Sequence, residues 1–183
     1  MKVNESLTTA LIAVAVLWFI FFAGYFAPVD LRLYGIRPRQ TNGLIGVLLW
    51  PFLHVNLQHL MANSFAFFCL LFLSLSFSKL LTIKALVIIT LLGGAAVWTF
   101  GSAHTIHIGA SGIIFGLLGF LIFLGIFRRE WKALIISLLV FLLYGGLLVT
   151  LLIRIPGVSW SGHFFGFAAG VIAAWVTRPG RRA

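Results

Sequence analysis

Six apolar runs constrain this chain more than any other feature. They lie at about 7–27, 59–77, 84–101, 109–127, 133–153 and 162–177. Most reach the roughly 17–25 residues that a helix needs to cross a hydrocarbon core, and the last is marginal. Trp175 and Arg178 provide that last run with an interfacial end. Only 9% of residues are charged and 62% are hydrophobic, against about 25% charged in an ordinary soluble domain. A chain of 183 residues with so few polar groups cannot cover a water-facing surface. The expected fold is therefore an all-α polytopic membrane protein, a bundle of six transmembrane helices in a single domain over residues 1–183, with the lipid bilayer as its solvent.

The remaining composition narrows the class further. A formal net charge of +10 can signal nucleic-acid binding. Here the basic residues stand in short clusters between apolar runs, which is the pattern of a topology signal, and no nucleic-acid partner is expected. With the N-terminus inside, the inner face receives Lys2, Lys79, Lys84, Arg128, Arg129, Lys132, Arg178, Arg181 and Arg182, and the outer face Arg32, Arg37, Arg39 and Arg154. Nine against four favours cytoplasmic N- and C-termini. The first run, from Leu7 to Pro28, exceeds the 7–15 residues or so of a secretory h-region and reads as a retained anchor. Cys69 is the single cysteine, so no intrachain disulfide forms. The segment from Gly43 to Val55 is apolar, interrupted by Pro51 and too short to span. It reads as an interfacial or re-entrant element in the first outer loop, with a seventh span fused to the next as the alternative.

Polar groups inside such runs are costly and mark candidate sites. Three places stand out. His59 and Asn63, four apart, share a helix face in the second run; they serve either function or hydrogen bonding between helices. Gly109-Ala110-Ser111-Gly112 opens the fourth run. Its glycines, with Gly116 and Gly119, also fit plain helix packing. His163 opens the sixth, followed by Gly166 and Gly170, which let another helix approach. Each signal is weak by itself. Parity joins them, because every even-numbered span runs from outside to inside and all three sites sit at the N-terminal ends of such spans. That puts His59, Asn63, Ser111 and His163 at one depth, near helix ends with open N–H groups.

The chemistry available at that depth is limited. The carboxylates Glu5, Asp30 and Glu130 all lie outside the runs. An aspartyl protease needs two, and no HExxH motif for a zinc protease is present. Ser111 as nucleophile with His163 as general base is the remaining hydrolytic pair, a dyad without an acidic third member. The Ser111 N–H, with the His59 and Asn63 side chains, offers an oxyanion site. His104 and His107 read as polar loop residues rather than metal ligands, and neither a metal nor another cofactor is expected.

At these residues the chain resembles the rhomboid family of intramembrane serine proteases, in its minimal six-helix bacterial form. His54, His59 and Asn63 resemble the end of the family's first loop and the start of its second helix. Gly109 to Gly112 resembles its GxSG motif, and His163, Gly166 and Gly170 its last catalytic helix. The similarity covers roughly residues 43–177. It implies that Ser111 is the nucleophile, His163 the base, His59 and Asn63 oxyanion donors, and His54 a supporting residue from the first loop. Phe115 stands where many rhomboids have a tyrosine packed on the catalytic histidine. Ile45-Gly46 stands where many have a Trp-Arg pair, so the loop conformation does not follow from the resemblance. The resemblance further implies transmembrane protein substrates, a bacterial inner membrane and a serine endopeptidase activity. A catalytically inactive rhomboid-like protein that binds membrane clients is the alternative, and a small transporter a more distant one.

Overall fold

A computed structural model describes residues 2–153 and 157–179. Arg154, Arg181 and Arg182, three of the residues that orient the chain, lie outside them. Among the described residues five helices are long and apolar enough to cross a membrane: α1 (Val3–Ala23), α2 (Leu57–Phe77), α3 (Lys79–Phe100), α4 (Ser111–Arg128) and α5 (Trp131–Leu151). The shorter α6 (Trp160–Val176) has 17 residues. Helix α3 passes through a π-helical stretch at Ile89–Gly93, and α5 tightens to a 3-10 helix over Gly145–Leu151. The architecture is an all-helical bundle.

Two span boundaries move from their expected places for local reasons. Helix α1 begins at Val3 rather than near residue 7. The Glu5 carboxylate accepts the Lys2 N–H at 3.3 Å, and the hydroxyls of Thr8 and Thr9 donate to the Asn4 and Glu5 carbonyls at 2.8 and 2.7 Å. These polar residues satisfy one another, so the first turn is helical without being apolar. The helix closes at Gly24, before Pro28. Helix α3 begins at Lys79 rather than near residue 84, because the Ser78 hydroxyl accepts the Leu81 N–H at 3.4 Å as its N-cap. Lys84 is thus an exposed helical residue, not a loop residue.

Helix α4 forms the centre of the bundle, and α6 lies against it most intimately. Gly166 and Gly170 meet the carbonyls of Gly112 and Gly116 so closely that a Cβ at either glycine would overlap them. A Cβ at Gly119 would come within 2.6 Å of the Phe167 carbonyl oxygen. Small residues let two backbones touch where lipid offers no hydrophobic drive to bring helices together. On the other side of the bundle α1 packs on α2, where the Trp18 indole donates to Ser64 Oγ at 2.9 Å.

The first loop has a definite course. Residues Thr41–Phe52 form short helical turns, and Leu53 to Asn56 break them from α2, so no seventh span exists here. Arg39, at φ 60°, donates from its backbone to the Trp98 carbonyl and from its guanidinium to the Thr99 and Gly101 carbonyls, each at 2.9 Å. A cation thereby satisfies the C-terminal carbonyls of α3. Gly46 lies flush on the backbone of Gly35, where any Cβ would overlap. Close packing of this kind accounts for glycine in the Ile45-Gly46 pair. Ile36 and His107 exchange two backbone hydrogen bonds at 3.0 and 2.9 Å, tying the loop to the segment that enters α4.

Candidate active site

The segment before α4 is held from two sides. The Gly109 N–H donates to the Trp50 carbonyl at 2.8 Å, and the Ala110 N–H donates to His54 Nε2 at 3.4 Å. Gly109 has φ 120°, a region L-residues avoid, and a Cβ there would lie 2.6 Å from His59 Cε1. Two independent constraints thus require glycine at this position. Gly112, one turn on, receives the Trp50 ring against its Cα, again leaving no room for a side chain. Ser111 is the first residue of α4, and no side chain caps that helix. Its first-turn N–H groups are therefore uncommitted to a cap.

Helix α2 begins beside this turn. The Asn56 side chain caps it by accepting the His59 N–H at 2.8 Å. The His59 ring meets the His54 ring edge-on, with centroids 5.2 Å apart. Burial, with the neighbouring His59, pushes the His54 pKa down to about 4, so its ring is a neutral acceptor at pH 7. Asn63, one turn further, is buried, and among the described residues its Nδ2 has no hydrogen-bond partner. An orphaned amide donor costs about 1–3 kcal/mol, and this one lies close to Gly109.

Helix α6 brings in His163. Its ring stacks on Phe115 with centroids 4.1 Å apart and planes 15° from parallel. His163 Nδ1 is buried and, among the described residues, has no hydrogen-bond partner. The imidazole is thus oriented by an aromatic face rather than by a carboxylate. Asp30 is ion-paired to Arg32 at 2.8 Å and Glu130 to Arg128. Ser111, His163, His59 and Asn56 line one cavity of about 600 Å³. Among the described residues no hydrogen bond joins Ser111 to His163. A second cavity of about 420 Å³ lies on the other side of His54, against α1 and the Asp30–Arg32 pair.

The structure therefore brings Ser111, His163, His59, Asn63, His54, Gly109, Gly112 and Phe115 into one locality, with Gly166 and Gly170 setting the α4–α6 approach. Among the described residues no group of three or more His, Cys, Asp or Glu is arranged to hold a metal ion. His104 is exposed, whereas His107 is buried with both ring nitrogens bonded, at 2.7 Å to Ser159 and 3.0 Å to Thr105. Sequence reading took His107 for a polar loop residue and passed over Ser159 and Trp50. Ser159, an N-cap residue type just ahead of an apolar run, was the one visible signal.

The chain is similar to several known proteins. An uncharacterized protein of Mycobacterium tuberculosis is 40% identical over 185 residues, covering 96% of this chain and 77% of the relative. One of Mycobacterium leprae is 42% identical over 153 residues, covering 78% and 59%. The Bacillus subtilis protein named "Putative rhomboid protease YdcA" is 27% identical over 175 residues, covering 88% and 83%. The rhomboid domain model matches residues 41–180, which contain every residue lining the cavity shared by Ser111 and His163. A helical membrane bundle with that match has one placement, and this chain belongs to the rhomboid family.

Proposed function

We propose that the chain is an intramembrane serine endopeptidase that cleaves peptide bonds in or near the transmembrane segments of other proteins. The observation that carries this reading is the orphaned Asn63 Nδ2, buried beside the uncapped start of α4 where Ser111 shares a cavity with His163. An oxyanion forming on a carbonyl at Ser111 would give that donor its partner.

In this mechanism Ser111 Oγ attacks the scissile carbonyl carbon while His163 takes the hydroxyl proton. Charge develops on the carbonyl oxygen, which accepts from the Ser111 N–H, Asn63 Nδ2 and the His59 ring. His163 then gives its proton to the leaving amine as the C–N bond breaks. An acyl ester remains on Ser111. Water attacks it, His163 accepts the water proton, and that proton returns to Ser111 Oγ as the acid leaves. A hydrogen-bonded helix hides its carbonyls, so substrates carry helix-weakening residues near the cavity. The charge balance of the loops supports cytoplasmic termini in a bacterial cell membrane, with the cavity opening outward. A reporter fused after Ala183 is expected to read cytoplasmic, and an external signal contradicts that orientation.

A client-binding protein without catalysis draws on one observation, the absence of a Ser111–His163 hydrogen bond. Reaction with a fluorophosphonate probe separates the two readings. The protease forms an adduct that mass spectrometry maps to Ser111. No adduct, or equal labelling of Ser111→Ala, contradicts it.

A further inference from the structure

His107 is fixed on every side. Its backbone pairs with Ile36, its side chain is 4% exposed, and its ring spans from Thr105 to Ser159 across 52 residues of sequence. Ser159 is the N-cap of α6, and its Oγ accepts the Gly162 N–H at 3.1 Å. His163 is the next residue. The ring of His107 therefore holds the cap of the turn that carries the proposed base.

Counting donors assigns the tautomer. The Thr105 hydroxyl donates to the Ser102 carbonyl at 3.1 Å. Its oxygen is then free to accept from His107 Nε2–H, leaving Nδ1 as an acceptor. The Ser159 hydroxyl donates to Nδ1 at 2.7 Å, while its lone pair takes the Gly162 N–H. All four bonds are made at once only in this form. With the proton on Nδ1, Thr105 would have to turn its hydroxyl from Ser102 to Nε2, and one bond would be lost. Burial pushes the His107 pKa down, opposed by the Ser102 carbonyl, in agreement with a neutral ring.

We propose that His107 is a positioning residue: as the Nε2-protonated tautomer it accepts from Ser159, locks the first turn of α6 and thereby sets where His163 stands relative to Ser111. The link also passes through Ile36, so the first loop is mechanically joined to the base. This inference rests on the protease reading for its consequence in rate, but not for the lock itself.

The test compares His107→Leu, His107→Asn and Ser159→Ala in the full-length protein in detergent. An Asn side chain carries an acceptor close to the place of Nδ1; Leu carries none. The expected result is a fall in kcat of about tenfold for His107→Leu with KM unchanged, since a misplaced base loses transition-state stabilisation alone. His107→Asn stays within about threefold of wild type, and Ser159→Ala loses as much as His107→Leu. The double variant His107→Leu/Ser159→Ala loses no more than either single variant, because both break one link. A wild-type kcat in His107→Leu, equal loss in Asn and Leu, or multiplicative loss in the double variant overturns the proposal. Should His107→Leu fail to fold, Ser159→Ala against wild type decides by the same criterion. Hydrogen exchange at the Gly162 amide reads the lock without catalysis: it is expected to quicken in His107→Leu and Ser159→Ala but not in His107→Asn, and unchanged exchange in all three overturns the proposal. A wild-type protein that cleaves nothing contradicts the protease reading, while the exchange result still decides the lock.

Discussion

Helices α4 and α5 are both apolar throughout, yet they stand in opposite environments. Mean hydropathy is 2.1 over the most apolar window of α4 and 2.6 over that of α5, while 67% of the first and 6% of the second is buried. The more hydrophobic helix is the more exposed one. In water that order would be reversed. In lipid, leucine gains little by leaving the acyl chains, and burial goes to the helix whose surface admits backbones and rings. Helix α4 has Gly112, Gly116, Gly119 and Gly125, each with a neighbour against it. Within α5 the glycines are Gly145 and Gly146, and Gly146 has nothing nearby. Ser111 sits on the helix selected by close packing.

The sharpest way to break this comparison is to put volume into the α4–α6 seam. Gly170→Val drives a side chain into the Gly116 carbonyl and is expected to prevent folding, at a cost beyond the usual ~1–3 kcal/mol of overpacking; recovery of monodisperse protein from detergent is the measurement. Asn63→Ala comes next and separates function from stability. It should lower kcat by about 10²–10³-fold while leaving the thermal midpoint unchanged or raised, since a buried donor without a partner is removed. A parallel loss of stability would show that Asn63 holds helices together instead.

A smaller effect follows from His54. Its ordinary pKa of 6.5 is held near 4 in the fold by burial and by His59. Between those values the unfolded chain binds the extra proton, so stability rises as pH rises from about 4 to 6.5 and is level above. Thermal unfolding across that range should show this slope, reduced in His54→Asn. The smallest effect lies on α5. Leu138 is 60% exposed, and Leu138→Ala should change stability by no more than about 0.5 kcal/mol. A large loss there would mean that α5 packs on a partner.

Much of this architecture was legible before any coordinate. Span number and helix polarity follow from apolar runs, because lipid forbids unpaired backbone. The polar residues at one end of three helices stood out because so few others lie in the spans. What stayed hidden depended on contacts distant in sequence. Hydropathy ranks α5 above α4, the reverse of their burial, so it could not place them. The lysines at 79 and 84 looked like loop residues until the Ser78 cap placed the start of α3. The first loop is shaped by Arg39 on the end of α3 and by Gly46 on Gly35, neither of which has a local periodicity. His107 reads as one more polar loop residue unless Ser159, far along the chain, is known to meet it.

The central claim is that Ser111 and His163 act together on a peptide bond. Purified protein reconstituted with a fluorescent transmembrane substrate tests it directly. Wild type is predicted to cleave, with Ser111→Ala and His163→Ala both inert although folded. Equal cleavage by wild type and Ser111→Ala would contradict the account.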